Sequence, residues 1–186
     1  MIVTTLRERL RVDTRAAHDA MDRAFGRFDL ASAAGLAAFL AAQREGVEAL
    51  RLASPEDDPL RPALDAARAD LDADLAVLHR AGAPDPRTPP DPDHALARCH
   101  IWLASRLGTK MLARRWRAAG DAQVVAAGRY LGGIGERADW RGFGEALDAR
   151  SGRGREADLV VAAVRGWFSL FEAGAVAARR QLRSDA

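Results

Sequence analysis

The sequence predicts an all-α protein that forms a single domain over residues 1–186. No segment shows the sustained alternation of apolar and polar residues, rich in β-branched and aromatic side chains, that is typical of strands. Alanine and leucine, which favour helices, are abundant along the chain. The 186 residues are enough to bury one core, and 48% hydrophobic with 29% charged residues is ordinary for a globular protein.

The first helix is predicted to run without interruption from Leu6 to Phe25. Thr5 and Glu8 have the spacing of a capping box, in which each side chain bonds the backbone of the other residue. Gly26 interrupts the apolar pattern directly after Phe25. The segment therefore reads as one amphipathic helix of about five turns.

The second helix is predicted to start after Ser32, a good N-cap residue, and to end near Ala53. A turn follows, and a third helix is expected over 62–80. Residues 81–93 hold five of the eight prolines of the chain and therefore form a non-helical, exposed connector.

Asp93 is predicted to cap a long fourth helix that Gly120 closes. Asp121 starts a fifth helix, and a glycine-rich bend follows it. A short sixth helix is expected over 140–149, and a long, strongly apolar helix over 156–182 ends the chain.

Composition narrows the classes of function. The single cysteine, Cys99, excludes an internal disulfide and sites that need several cysteines. A net charge of +2 gives no indication of a nucleic-acid partner. The N-terminus lacks the apolar core of a signal peptide, and no apolar run is expected to cross a bilayer, so we expect a cytoplasmic protein without a membrane partner.

The most informative pattern lies in the first helix. Arg11, Arg15, His18 and Asp22 follow one another at intervals of four, three and four residues, which places them on one helical stripe. An imidazole can bind a metal, an acid one turn later can orient it, and arginines can bind carboxylates. The stripe predicts a flat ligand that carries both a metal and carboxylates. The alternative is a partly buried histidine that Asp22 or a carbonyl satisfies.

The fourth helix offers a second surface that could face the same flat ligand. Ala104 and Gly108 lie near one face with other small or apolar residues, and a glycine inside a helix costs about 1 kcal/mol relative to alanine. Such a face admits either a flat ligand or a closely packed helix. On the same helix, His100 is the rival metal ligand. The same helix carries a basic stripe, whose members are Arg106, Lys110, Arg114 and Arg117. The stripe could bind an acidic partner protein, bind the carboxylates of a ligand, or simply be solvated surface.

Four segments together resemble the biliverdin-producing heme oxygenases, in particular their bacterial members. LRERLRVDTRAAHDAMDRAF is similar to the proximal helix of that family, and HALARCHIWLASRLGTKMLARR is similar to its distal helix. RYLGGIGERADWRGFGEALD and VVAAVRGWFSLFEAGAV are similar to its C-terminal segments. The similarity covers nearly the whole chain, in order.

The resemblance implies a heme oxygenase-like helical fold with heme between the first and fourth helices. His18 matches the proximal iron ligand, and Arg11, Arg15 and Arg141 match positions that meet the heme propionates. Phe171 falls where an aromatic side chain packs near the heme.

The distal helix departs from the family pattern. Ala104 stands where a glycine is usual, Gly108 is followed by Thr109 instead of a second glycine, and Ser105 stands where some members have an aspartate. The implied function is oxidative cleavage of heme, as both cofactor and substrate, to biliverdin, carbon monoxide and iron. The alternative is a non-catalytic heme- or tetrapyrrole-binding protein on the same fold.

The implied partners follow from that chemistry. A ferredoxin or flavoprotein reductase supplies electrons, an acidic ferredoxin suits the basic stripe, and a bilin photoreceptor is a possible consumer of the product.

Overall fold

A computed structural model of the chain describes residues 4–79, 87–133 and 140–184, without the side chains of residues 105–111 and 140. Within these residues the fold is helical, and extended pairing is confined to one antiparallel bridge between Thr5 and Ser151. The all-α prediction is confirmed. The helices in chain order are α1 (Leu6–Asp13), α2 (Arg15–Phe25), α3 (Ala33–Ala53), α4 (Arg61–Val77), α5 (Ala95–Arg117), α6 (Ala122–Ala126), α7 (Arg129–Gly132), α8 (Trp140–Asp148) and α9 (Arg155–Ser184).

The central element is α9. It packs against α1, α2, α3 and α5, while α4 lies against α3 and α8 lies against α1. The aromatic side chains of Trp167, Phe168 and Phe171 on α9 are almost completely buried. The apolar character of this helix therefore comes from its place in the core.

By length and composition α9 also passes the test for a membrane span, with a mean hydropathy of 1.5 over an 18-residue window. The expectation that no segment is apolar enough to cross a bilayer is wrong by that measure. However, 56% of the window is buried inside the protein, as in the core helix of a globular fold.

The predicted first helix is two helices, α1 and α2, that meet at Thr14. The Thr14 hydroxyl donates a hydrogen bond of 2.7 Å to the carbonyl oxygen of Leu10. Arg165 of α9 donates from Nε and Nη2 to the carbonyl oxygen of Asp13, at 2.9 and 2.7 Å. A threonine whose hydroxyl bonds the carbonyl one turn earlier often bends a helix. The Asp13 carbonyl, which would accept a backbone amide in an unbroken helix, accepts the Arg165 guanidinium instead. The prediction of one uninterrupted helix is therefore wrong.

Several predicted caps are confirmed. Thr5 and Glu8 form the capping box of α1. Ser32 accepts a hydrogen bond from the Gly35 amide at the start of α3, and Asp121 accepts one from the Gln123 amide at the start of α6. These caps depend on short-range contacts, which a local sequence pattern is able to reveal.

The cap of α5 differs from the prediction. His94, and not Asp93, is the N-cap, and its Nδ1 accepts a hydrogen bond from the Leu96 amide at 3.1 Å. The Asp93 carboxylate instead accepts hydrogen bonds from Arg98 and from the indole of Trp167 on α9. Partners from the tertiary structure therefore take Asp93 away from the cap.

The predicted fifth helix is divided into α6 and α7 around Gly128. A Cβ atom at Gly128 would lie 2.0 Å from the ring of Trp116, so the chain passes directly over this tryptophan. The Trp116 indole donates to the Val124 carbonyl at 2.7 Å. α7 then begins where the buried Asp74 carboxylate accepts hydrogen bonds from the amides of Arg129 and Tyr130.

The predicted third helix also ends earlier than expected, at Val77. Gln123 donates a hydrogen bond of 2.9 Å to the Val77 carbonyl, which is one of the carbonyls left open at a helix end. α5 ends at Arg117, short of Gly120. Arg80, the last residue of the predicted third helix, and residues 81–86 of the connector lie outside the described residues.

A buried ionic cluster anchors the start of α5, and we call it the Arg98 network: Arg98, Asp58, Asp93 and Trp167. Arg98 is 7% exposed, forms an ion pair with Asp93 and lies 3.2 Å from an Asp58 carboxylate oxygen. Trp167 Nε1 donates to the other Asp93 oxygen at 2.8 Å. The network joins the loop before α4, the start of α5 and the middle of α9.

Candidate functional site

His18 lies on α2, on the side that faces α9. Its imidazole meets the Phe168 ring edge-on, with ring centroids 5.3 Å apart and an interplanar angle of 85°. The His18 side chain keeps 39% of its surface exposed. One side of the imidazole therefore rests on the core while the rest stays open to solvent.

Two carboxylates face one nitrogen of the His18 ring. Nδ1 lies 3.4 Å from an Asp22 oxygen and 3.8 Å from an Asp19 oxygen. None of the described residues forms a hydrogen bond or ion pair with Nε2. A carboxylate at Nδ1 favours the tautomer that leaves the Nε2 lone pair available for a metal. The same contact is also present in the alternative interpretation, a histidine that Asp22 satisfies.

The sequence-predicted arginines stay at the surface. Arg15 is 80% exposed on its side chain and lies 3.8 Å from Asp19. Arg11 on α1 and Arg141 at the start of α8 are exposed, and neither forms an ion pair with a described residue. The break at Thr14 divides the predicted stripe between two helices. The guanidinium groups are therefore available to an external anion.

Over the described residues, α2 and α5 both pack on α9 but make little direct contact with each other. At the far end of the two helices, Arg115 of α5 donates to the Gly26 carbonyl at 3.1 Å. Phe168 of α9 lies between the two helices at the level of His18. The region that the sequence assigned to a flat ligand is thus bordered by α2, α5 and α9, and the buried Phe168 ring occupies it at the level of His18.

The structure describes the first part of the small-residue face of α5, up to Ala104. Ala97 and Ile101 are almost completely buried in the core, and Ala104 is partly buried. The side chains of Ser105 and Gly108 lie outside the described residues. At its start, this face of α5 serves helix packing, and Ala104 is more exposed than Ala97 and Ile101.

His100 lies one turn before Ala104 and contacts the same phenyl ring as His18. Its ring centroid is 6.1 Å from that of Phe168, at an angle of 88°, and 6.2 Å from that of Phe143 on α8. Burial, and secondarily the nearby His18, lower the pKa of His100 to about 4. At neutral pH the His100 imidazole is therefore uncharged.

Phe168 is the site residue that sequence reasoning missed. The predicted aromatic, Phe171, contacts α3 instead, where its ring packs against Gly46 so closely that a Cβ there would lie 2.3 Å from it. Phe168 lies nearly one turn earlier and contacts both histidines. The apolar run of α9 contains both phenylalanines, and the sequence pattern does not distinguish which one faces α2.

None of the remaining candidates that the structure describes is shown in contact with His18. Burial raises the pKa of the Cys99 thiol, so Cys99 is not activated as a nucleophile. Arg114 and Arg117 of the basic stripe are exposed, while the side chains of Arg106 and Lys110 lie outside the described residues. No group of three or more potential metal ligands occurs among the described residues.

The chain matches no protein-family model, and no curated protein matches it.

Proposed function

We propose that this protein binds heme between α2 and α5 and cleaves the porphyrin oxidatively, as a heme oxygenase. The observation that carries the proposal is the half-exposed His18, whose Nδ1 faces two carboxylates while Nε2 meets none of the described residues. That arrangement suits an imidazole that ligates a metal from one side.

The surrounding residues fit a heme. A porphyrin supplies four of the six ligands of its iron, so a single histidine suffices to hold the metal from the protein side. The porphyrin faces are apolar, as is the Phe168 ring beside His18. The two propionates are anionic, and Arg11, Arg15 and Arg141 are exposed guanidinium groups without a close acidic partner among the described residues, apart from the 3.8 Å contact of Arg15 with Asp19.

Each residue has a defined role in this proposal. Heme, when bound, supplies the iron at which oxygen is activated, and biliverdin, carbon monoxide and iron are the products. His18 would hold the metal, Asp22 and Asp19 would orient its ring, and Arg11, Arg15 and Arg141 would bind the propionates. The stretch of α5 from Ala104 to Gly108 limits the space on the opposite face. Electrons come from a ferredoxin or flavoprotein reductase.

A second candidate is heme binding without turnover. Ala104 favours it, because this partly buried residue stands where the heme oxygenases usually have a glycine. Reduction of the hemin complex in air distinguishes the two functions. Loss of the Soret band with formation of biliverdin supports the enzyme, and a stable reduced spectrum supports the binding protein.

His18→Ala is the decisive substitution, with His79→Ala as a matched control, since His79 is an exposed histidine at the end of α4. We expect the wild type and His79→Ala to bind hemin in equal proportion to protein, with a Soret band typical of histidine ligation. We expect His18→Ala to lose that band and to regain it on addition of free imidazole. A wild type that gives no Soret shift, or a His18→Ala spectrum identical to wild type, rejects the proposal.

A further inference from the structure

Helices α2 and α5 run in the same direction and end close together. Near their starts, His18 of α2 and His100 of α5 contact the same Phe168 ring of α9. Near their ends, Arg115 of α5 donates a hydrogen bond of 3.1 Å to the carbonyl oxygen of Gly26, the residue that follows α2. The C-terminal ends of both helices therefore lie at one end of the molecule.

Helix α9 ends at the same place. From Phe168 it continues for about four turns to Ser184. Partial burial, and then the neighbouring charges of Arg183 and Arg27, lower the pKa of Arg179 in this last part of the helix. Because Arg27 lies just beyond the end of α2, the last turns of all three helices meet.

This end of the molecule carries a cluster of arginines that we call the arginine patch. All of them are exposed or partly buried, and none forms an ion pair with a described residue. By contrast, Arg44, Arg51 and Arg61 on α3 and α4 each pair with an acid. The members of the patch are Arg23, Arg27, Arg114, Arg115, Arg117, Arg179, Arg180 and Arg183.

Helix geometry explains only part of this charge. Cations are favourable at helix C-termini, but each terminus carries about half a negative charge, so three termini offset fewer than two arginines. Among the described residues, the acids closest in sequence to the patch are Asp22, Asp29 and Asp121. An excess of about three positive charges remains after both contributions. The net charge of +2 for the whole chain conceals this asymmetry.

The patch offers little apolar surface. The large hydrophobic side chains that are exposed among the described residues are Val12, Leu52, Val125 and Leu159, and only Val125 of α6 lies on an element that adjoins the patch. Protein interfaces depend on apolar or aromatic anchors, and a helix that inserts into a membrane surface needs an apolar face. A partner bound here must therefore be held by charge.

The width of the patch also restricts the partner. Three helix ends, each about 10 Å across, present guanidinium groups side by side. A single small anion would meet only a few of them. A phosphodiester backbone presents a row of anionic phosphates, and a guanidinium group can bind a phosphate through two parallel hydrogen bonds.

We propose that the arginine patch binds the phosphodiester backbone of a nucleic acid without regard to base sequence. The contacts are ion pairs between guanidinium groups and phosphates, and binding releases the counterions of the phosphates that are contacted. An excess of about three charges predicts that log affinity falls with log salt concentration with a slope near −3. This activity is separate from the proposed function and requires no heme.

The test measures binding of the full-length protein to a short, fluorescently labelled DNA duplex by anisotropy at several salt concentrations. The patch variant replaces three arginines by glutamine, and a control variant does the same at three exposed arginines outside the patch, so that both lose equal charge. The patch variant combines Arg27→Gln, Arg179→Gln and Arg183→Gln, and the control combines Arg150→Gln, Arg153→Gln and Arg155→Gln. Circular dichroism checks that each variant is folded.

We expect the wild type and the control variant to bind the duplex with a Kd of about 10⁻⁴–10⁻⁶ M near physiological salt. The patch variant should bind at least about tenfold more weakly and lose most of the salt dependence. Arg183→Gln alone, at the exposed end of α9, should reduce the magnitude of the slope by about one, and it decides the question if the triple variant does not fold.

A wild type that does not bind the duplex even at low salt overturns the proposal, as does a control variant weakened as much as the patch variant. Tighter binding to polyglutamate than to the duplex overturns it in favour of an acidic polypeptide. Binding to phosphatidylserine vesicles but not to the duplex overturns it in favour of a membrane surface. Hemin binding is measured separately, so none of these outcomes decides the proposed function.

Discussion

Two regions of the molecule carry arginine and aspartate side chains close together: the Arg98 network at the start of α5, and the surface of α2 around His18. In the first, Arg98 is 7% exposed and binds two aspartates, one of which also binds Trp167. In the second, Arg15 is 80% exposed, and a single contact of 3.8 Å joins its Nε atom to an Asp19 carboxylate oxygen. The charges are alike, but burial and hydrogen bonding differ completely.

The difference shows where the ions of this protein serve the fold and where they are available to a ligand. A buried charge must have its partner within the chain, because desolvation without compensation costs several kcal/mol. A surface charge meets no such demand and contributes about 0–1 kcal/mol even when paired. Removal of one partner from a buried ion pair is therefore expected to destabilise the fold, whereas the exposed guanidinium groups of Arg11, Arg15 and Arg141 are the ones to test for binding.

The largest effect is expected at Arg98. Arg98→Met removes the guanidinium but leaves Asp58 and Asp93 at the start of α5, with an expected loss of about 3–5 kcal/mol in the free energy of unfolding. Urea denaturation followed by circular dichroism measures it. Arg153→Met, at an exposed loop position, is the control and should keep the wild-type midpoint. An Arg98→Met midpoint equal to wild type would show that the network is not required for stability.

An intermediate loss of stability is expected at Glu48, a buried residue on α3. We expect the loss to be smaller than at Arg98 and larger than at the exposed arginines. Arg51 donates two hydrogen bonds of 2.9 Å to Glu48, and these bonds are the main cause of its lowered pKa. The native state holds fewer protons on Glu48 than the unfolded state, so this stabilisation is present above pH 4.5 and is lost as the pH falls below it.

Glu48→Gln should therefore be less stable than wild type by about 1.5–3 kcal/mol at pH 7, with the difference shrinking towards pH 3. Denaturation at several pH values measures the trend. Asp148→Asn, which breaks the exposed ion pair with Arg7, serves as the comparison and should change stability little. A Glu48→Gln deficit that is the same at pH 3 and pH 7 contradicts the assignment.

The smallest effect on stability is expected at the exposed arginines. Arg11→Met and Arg141→Met should each change the free energy of unfolding by less than about 0.5 kcal/mol. If they bind propionates, each should weaken hemin affinity by about 1 kcal/mol, or roughly fivefold. Hemin titration and urea denaturation of the same preparations give both quantities. Unchanged affinity in both variants, with Arg153→Met as reference, removes these arginines from the site.

Helix content and local caps were predictable from the sequence, as Thr5 with Glu8 and Ser32 illustrate, because each depends on residues within one turn. The break at Thr14 was not predictable, since one of the two contacts that cause it comes from Arg165, which is far away in the sequence. Asp93 is a residue type that often caps helices, but its carboxylate binds Arg98 of α5 and Trp167 of α9 instead. A local pattern cannot show which distant group competes for a side chain.

At the site, the sequence placed Arg11, Arg15, His18 and Asp22 on one stripe, which the break at Thr14 divides between two helices. The contact between His18 and Asp22 follows from helical spacing alone. The choice of Phe168 over Phe171, and the approach of His100 to the same ring, depend on how α9 is rotated against α2, α3 and α5. That rotation is set by packing across the whole core.

The sequence by itself determined that the chain is helical, where most helices begin, and which short-range pairs form, because hydrophobic periodicity and capping act over a few residues. The tertiary structure decided where the first helix breaks, which charges are buried, and which aromatic ring meets the two histidines. Those outcomes depend on contacts between residues far apart in the sequence, and such contacts exist only once the helices have packed.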